Sequence, residues 1–226
     1  ADLETLTGRR PVTLLGREWQ FRPGAVGSRD WERSRLAALY ALAQGDAPVV
    51  VATADGLMAR TLPPETLRSL AITLEVGGQA ELGALAEQLL SAGYTRCEQV
   101  EGVGQFALRG GILDVFSPLM DQPVRCEFFD DEIDSMGAFD PGTQRRTRNV
   151  SSARILPAAE VLPHCAPGGL PGLADQLTAL AEKLAKKQKT EAIVQTLRED
   201  AERLRSGAAP GAADRYLAAI YPTVTA

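Results

Sequence analysis

Four glycines between residues 102 and 111 are the first candidates for chemistry. Gly102, Gly104 and the pair Gly110-Gly111 could build a loop whose backbone N–H groups hold phosphates at the start of a helix. That kind of loop ends in Gly-Lys followed by Ser or Thr, and the sequence contains no Gly-Lys dipeptide. Because the segments on both sides have the composition of strands, we interpret these glycines as tight turns.

An acidic run at residues 130–134 (DDEID) is the second candidate. Its carboxylates could bind a divalent metal through oxygen ligands, or could act as an acid–base pair. The run lacks the spacing of an EF-hand, and the one His of the chain, His164, stands apart beside Cys165. We therefore interpret the run as a solvated turn, and we predict no catalytic residue, no bound metal and no cofactor.

Arg109, Arg125 and Phe129 carry a sharper signal. We expect them at the ends of adjacent strands, in a sheet whose side chains alternate between apolar and polar. The consecutive Phe128 and Phe129 must then lie on opposite faces, one in the core and one outside it. Two interpretations of the outer face stay open at this point. An exposed aromatic beside arginines is typical of a protein-interface hot spot, whereas a covering helix would bury both faces.

The overall composition is that of a folded protein with little affinity for nucleic acid. The 226 residues are 45% hydrophobic and carry a formal net charge of −5, which argues against tight autonomous DNA binding. Three scattered cysteines argue against a disulfide framework and for a reducing compartment. No apolar run approaches the roughly 20 residues that cross a bilayer. We expect a cytoplasmic protein that does not enter the membrane.

Residues 1–66 are predicted to form part of an α/β domain, because apolar strands alternate with helices. The run Pro48–Thr53 (PVVVAT) is short and largely β-branched, which is typical of a buried strand in a parallel sheet. The predicted elements are, in order, a strand at Val12–Leu15, a loop at Arg22–Ser28, a helix at Arg29–Gln44, the strand Pro48–Thr53 and a short helix that begins at Asp55 and ends before Pro63.

Residues 67–150 are predicted to form an α+β domain with an antiparallel sheet. A helix at about residues 80–92 places Leu82, Leu85 and Leu89 on one face, and short strands separated by turn residues follow it. The predicted strands are Ala71–Val76, Tyr94–Val100, Gln105–Leu108, Ile112–Phe116, Val124–Phe129 and Ile133–Phe139.

Residues 151–226 are predicted to return to the α/β domain and to be mostly helical. A strand at Arg154–Leu156 precedes a long helical region at Leu173–Arg205, which has one apolar stripe, and a short helix at Asp214–Tyr221. We expect the chain to be a fragment of a longer protein, because no obvious closing element follows the last helix.

Three blocks in the middle of the chain resemble a signature shared by UvrB and the transcription-repair coupling factor Mfd. They are RGGILDVF at 109–116, RCEFFDDEIDS at 125–135 and FDPGTQR at 139–145. The sequence is more similar to Mfd than to UvrB, because it ends the third block in TQR and has no Tyr-rich segment within Arg17–Ser28. The segment DRYLAAIYP near the end of the chain also resembles Mfd.

The resemblance implies a fold and a binding site. The implied fold is a degenerate, partial RecA-like α/β domain without an ATP site, into which the antiparallel-sheet module is inserted as a UvrA-binding domain, with a C-terminal helical segment. The residues of this chain that match the family's UvrA-contacting positions are Arg109, Arg125 and Phe129, with Glu127, Asp130 and Asp131 as their neighbours.

The resemblance also implies an activity and partners. It implies a protein-interaction module that recruits UvrA to stalled RNA polymerase in nucleotide excision repair and has no ATPase activity of its own, within a parent protein that is an ATP-dependent DNA translocase. A C-terminal autoinhibitory domain of the parent would cover the same surface, and RNA polymerase and DNA would be bound only by domains outside this chain. The alternative is a UvrB-type excision-repair helicase fragment that contacts damaged DNA.

Overall fold

A computed structural model describes residues 2–8, 11–16, 30–45, 49–186 and 191–222 of the chain. The predicted loop at Arg22–Ser28 lies outside the described residues. Contacts divide the chain into two compact units. Of the described residues, the first unit comprises 2–8, 11–16, 30–45, 49–56 and 63–160, and the second comprises 57–62, 161–186 and 191–222.

The first unit contains a small parallel sheet. Strand β1 (Val12–Leu14) pairs with β2 (Val50–Ala52), and helix α2 (Asp30–Gln44) packs on β1 through an apolar stripe that includes Leu36 and Leu39. Pro48–Thr53 was expected to be a buried strand, but Val50 and Val51 are exposed. Within the described residues β2 pairs only with β1, so no second neighbour covers it. The helices of this part are α1 (Asp2–Thr7), α2 (Asp30–Gln44), α3 (Ala54–Met58) and α4 (Pro64–Leu70).

A six-stranded sheet forms the main part of the first unit. Its spatial order is β4-β5-β6-β7-β8-β9, and neighbouring strands are antiparallel except β4 and β5, which are parallel. The strands are β4 (Thr95–Arg96), β5 (Gln105–Arg109), β6 (Ile112–Val115), β7 (Val124–Phe129), β8 (Glu132–Phe139) and β9 (Arg146–Asn149). A separate antiparallel pair is formed by β3 (Ile72–Glu75) and β10 (Ser152–Ile155).

Helix α5 (Leu82–Ser91) covers one face of this sheet. The carboxylate of Glu81 caps the helix by accepting hydrogen bonds from the backbone N–H groups of Gly83 and Ala84, at 2.7 and 2.6 Å. Leu85 and Leu89, one turn apart, are buried in the core between helix and sheet. The predicted helix at 80–92 is therefore present, with slightly shorter ends.

Two strands differ from the sequence-based prediction. Tyr94–Val100 was expected to be a strand, but only Thr95–Arg96 is extended into the sheet. Beyond it, the side-chain oxygen of Gln105 accepts hydrogen bonds from the N–H groups of Glu101 and Gly102, which holds this segment as a loop. Strand β9 was not predicted, because RTRN contains no apolar residue and lies fully exposed on the sheet edge.

The second unit is mainly helical. Its longest helices, α6 (Gly169–Ala185) and α7 (Glu191–Arg205), pack against each other through Leu173, Leu177, Val194 and Leu197. The single long helical region predicted for Leu173–Arg205 is therefore two helices. Short 3₁₀ turns at Pro163–Cys165 and Ala213–Tyr216 and helix α8 (Leu217–Ile220) complete the unit. Among the described helices, none has the length and apolar character needed to span a membrane.

One fully buried ion pair ties distant parts of the first unit together. Arg35 of α2 donates two hydrogen bonds to Glu160, from Nε at 2.9 Å and from Nη2 at 3.0 Å, and neither side chain is exposed to solvent. Two charges removed from water must compensate each other, because an unpaired buried charge is strongly unfavourable.

We predict that Arg35→Met lowers the free energy of unfolding by about 3–5 kcal/mol, since it breaks a fully buried ion pair by removing one member. Urea denaturation measures this loss. The double variant Arg35→Met/Glu160→Met should recover most of it, because both members of the pair are replaced together by apolar side chains. A single variant that is as stable as the wild type would contradict the prediction.

Candidate functional site

The six-stranded sheet has two chemically different faces, because side chains alternate along each strand. The face toward α5 is apolar and contributes Phe106, Leu113 and Cys126 to the core. The opposite face, which we call the charged face, carries Arg109, Asp114, Arg125, Glu127 and Phe129.

A buried carboxylate lies at the centre of the charged face. Asp114 is opposite Arg125 in the register of β6 and β7, and its side chain is only 1% exposed. Arg125 donates to both of its oxygens, from Nε at 2.7 Å and from Nη2 at 2.8 Å. Arg109 donates to Oδ2 from its Nη2 at 2.6 Å. Asp114 is therefore held by two charge-assisted interactions, one of them bidentate.

Arg125 is fixed on several sides. Its guanidinium lies over the ring of Phe139, 4.7 Å from the centroid, and its Nη1 is 3.5 Å from the backbone oxygen of Gln144. Its hydrogen bonds with Asp114 raise the pKa of Arg125 above the usual value. This side chain, about one-fifth exposed, is part of the packing of the face.

Arg109 is held less tightly. Its side chain is 45% exposed, and besides Asp114 it donates to the backbone oxygen of Glu98 at 3.1 Å. Arg109 and Arg125 were expected on adjacent strands, but β6 lies between β5 and β7. The intervening strand supplies Asp114, which is why the two arginines meet at one carboxylate.

Glu127 belongs to a second polar cluster on the same face. It accepts a hydrogen bond from the Ser135 hydroxyl at 2.7 Å and forms an ion pair with Arg146 of β9 at 3.2 Å. The side chain of Arg146 crosses the sheet at Gly137, where any Cβ would stand 2.5 Å from its Nε. The two arginines of the charged face, Arg109 and Arg125, balance its two carboxylates, Asp114 and Glu127.

Phe128 and Phe129 lie on opposite faces, as the alternation predicts. Phe128 packs against the core, whereas Phe129 is 76% exposed. The residue types left two interpretations of this face open, an exposed aromatic or a covering helix. Within the described residues the aromatic is exposed, and no helix there buries Phe129. An exposed aromatic side chain that shares a face with arginines is typical of a protein-binding site.

Asp130 and Asp131 form the two-residue turn between β7 and β8, where Phe129 pairs with Glu132. Asp130 has a φ of 53°, a left-handed conformation that Asp tolerates better than most residues. The backbone oxygen of Asp131 accepts a hydrogen bond from Ala80 at 2.8 Å. The described residues contain no group of three or more His, Cys, Asp or Glu side chains arranged to hold a metal ion.

Sequence reasoning missed Asp114, Phe139 and Arg146. Asp114 had one usable signal, since it is the single charged residue in the otherwise apolar strand ILDV and must find a partner if that strand is buried. Phe139 and Arg146 carry no local signal of their own. Phe139 lies under Arg125 because β7 pairs with β8, and Arg146 reaches Glu127 from β9, a strand that was not predicted.

Comparisons with known proteins point to one family. The family model described as the UvrB interaction domain matches residues 72–161, a range that contains the whole charged face. The chain is 39% identical to the transcription-repair-coupling factor of Myxococcus xanthus over 176 residues, and this alignment covers 76% of this chain and 14% of that protein. It is 33% identical to the transcription-repair-coupling factor of Bacillus subtilis over 224 residues, and this alignment covers 97% of this chain and 19% of that relative. The chain thus spans less than a fifth of the length of these relatives.

The three cysteines should differ in reactivity. Burial raises the pKa of Cys126 to about 12, and its side chain is inaccessible in the core. Burial also raises the pKa of Cys97 and of Cys165, but both residues are partly exposed. Because a reagent must reach the sulfur before the thiolate can react, we predict that a chromogenic disulfide reagent at pH 8 labels these two slowly in the folded chain and Cys126 only after unfolding. Three fast-reacting thiols in the folded chain would contradict this.

Two glycines of the site should tolerate alanine unequally. A Cβ at Gly111 would lie 2.9 Å from the backbone oxygen of Phe128, which cannot move without disturbing β7. At Gly137 it would meet side-chain atoms of Arg146, with Nε at 2.5 Å, Cδ at 2.7 Å and Cγ at 2.9 Å, and this side chain can turn away at the expense of a solvent-exposed ion pair. We predict that Gly111→Ala destabilises by about 1–3 kcal/mol and Gly137→Ala by less than about 1 kcal/mol. Thermal unfolding compares them, and an equal loss would refute the distinction.

Proposed function

Because residues 72–161 belong to the UvrB interaction domain family and the chain is a relative of the transcription-repair-coupling factors, we propose that its charged face binds the repair protein UvrA. The observation that supports this most directly is the exposure of Phe129 on the sheet face that carries the network of arginines and carboxylates. An aromatic anchor with polar neighbours is the usual composition of a hot spot in a protein–protein interface.

The six proposed contact residues have different roles. Phe129 is the apolar anchor, which enters a pocket of UvrA. Arg109 and Arg125 supply N–H donors to acidic groups of the partner. Glu127, Asp130 and Asp131 form a polar border around the anchor, since they lie beside it on β7 and on the turn that follows.

In the longer protein, this interaction recruits UvrA to stalled RNA polymerase during nucleotide excision repair. RNA polymerase and DNA are bound by other domains of that protein, and its C-terminal domain covers the charged face until UvrA is needed. The chain itself has no ATPase activity. Residues 67–150 are the UvrA-binding domain, and residues 1–66 and 151–226 belong to a degenerate RecA-like domain. The parallel pairing of β1 and β2 supports that assignment, because parallel pairs are typical of α/β domains.

The second candidate is a UvrB-type helicase fragment that contacts damaged DNA. It would need an ATP site and a basic surface, whereas the sequence has no Gly-Lys dipeptide and a net charge of −5. Identity to named transcription-repair-coupling factors also favours the first candidate. ATP turnover by the purified chain would favour the second.

We predict that Phe129→Ala weakens binding to UvrA by about 30-fold or more, the effect expected of a hot-spot residue. Phe129 is already exposed, so the fold should be unaffected. Titration calorimetry with purified UvrA measures the affinity. Met58→Ala is the matched control, because Met58 is 81% exposed but is not part of the charged face. Equal losses for both variants would refute the proposed site.

The charges can be tested in the same way. We expect Arg109→Glu/Arg125→Glu to lose UvrA binding, because it replaces two donors with acids and also removes both cations that hold Asp114. Arg198→Glu/Arg203→Glu makes the same change in net charge on exposed positions of α7 and should bind like the wild type. If Arg109→Glu/Arg125→Glu binds UvrA as well as the wild type does, the charged face is not the binding site.

A further inference from the structure

One carboxylate holds two arginines of the charged face that differ in freedom. Asp114 accepts all three hydrogen bonds, and its own side chain is almost fully buried. Arg125 is fixed from the other side by Phe139 and Gln144. Asp114 and Arg125 therefore form a rigid pair, and Arg109 is attached to this pair through one nitrogen.

Arg109 has donors to spare. Its Nη2 is bound to Asp114 and its Nη1 to the backbone oxygen of Glu98, yet almost half of the side chain is exposed. A guanidinium has more N–H groups than these two bonds use. Because it has no acceptor, the group that it can bind on a partner is a carboxylate or another oxygen acceptor.

We propose that Asp114 is a positioning residue, which holds Arg109 in the orientation in which its unused donors meet a carboxylate of the partner. This rests on the proposed function, because the partner is taken to be UvrA. A long side chain that is ordered before binding loses less conformational freedom when the complex forms. The buried acid thus contributes to binding without touching the partner.

The inference predicts a particular kinetic effect of Asp114→Asn. Asn has nearly the same volume, but its NH₂ group cannot accept from an arginine, so one of the two oxygen acceptors is lost. The change also makes the face more positive, so attraction of an acidic partner is not weakened. We expect the dissociation rate from UvrA to rise about tenfold, the size of one charge-assisted hydrogen bond. The association rate constant should not fall. Surface plasmon resonance measures both.

A double-mutant cycle shows whether Asp114 acts through Arg109. If it does, Asp114→Asn/Arg109→Met should bind UvrA no more weakly than Arg109→Met alone, because the residue to be positioned is already gone. Additive losses in the double variant would overturn the inference, and so would an Asp114→Asn variant that dissociates at the wild-type rate.

The matched control is Glu160→Gln, which neutralises another fully buried carboxylate paired with an arginine. It should lower stability in urea but leave both rate constants for UvrA unchanged, whereas a rise in its dissociation rate like that of Asp114→Asn would overturn the inference.

Phe129→Ala separates the two proposals. If it weakens binding while Asp114→Asn does not, only the role of Asp114 is wrong. If the wild-type chain does not bind UvrA, both the proposed function and this inference fail.

Discussion

The burial of Asp114 is the constraint on which the charged face depends. An ionised carboxylate removed from water costs several kcal/mol unless cations and hydrogen bonds replace the water. Here the replacement comes from strands on both sides, since β5 supplies Arg109 and β7 supplies Arg125. A shift of either strand by one residue would move its arginine to the apolar face and leave Asp114 unpaired. The ion pairs and the strand register therefore support each other.

The same constraint determines where the face is rigid. Around Arg125, the ring of Phe139 and the loop that carries Gln144 enclose the guanidinium, and a small apolar cluster of Val100, Ala107 and Phe116 packs beside them. Toward the β5–β6 and β7–β8 turns this cover is absent within the described residues, and Phe129 is exposed. The charged face is therefore rigid around Arg125 and exposed to solvent around Phe129.

Much of this module could be predicted from local patterns, and the missing parts required tertiary information. Alternation along CEFF correctly placed Phe128 and Phe129 on opposite faces, because it depends on strand geometry alone, but which of them is buried became clear only in the structure. The arginines were recognised by type, but their meeting point was not, since Asp114 becomes central only when β6 lies between β5 and β7. Strand β9 forms because it pairs with β8, and its own residues do not indicate a strand. The run Pro48–Thr53 has the composition of a buried strand, but its exposure depends on which strands pair with β2.

The charge distribution limits how the face can select a partner. The whole chain carries a net charge of −5, whereas the two arginines and the two carboxylates of the charged face cancel each other. At physiological ionic strength, interactions between exposed charges are largely screened beyond about 8 Å. Long-range attraction of an acidic partner is therefore weak, and selection must occur at contact distance. At that distance, the orientation of Arg109 and the fit of the Phe129 ring determine which partner binds. The strands that enclose Asp114 determine the positions of both side chains.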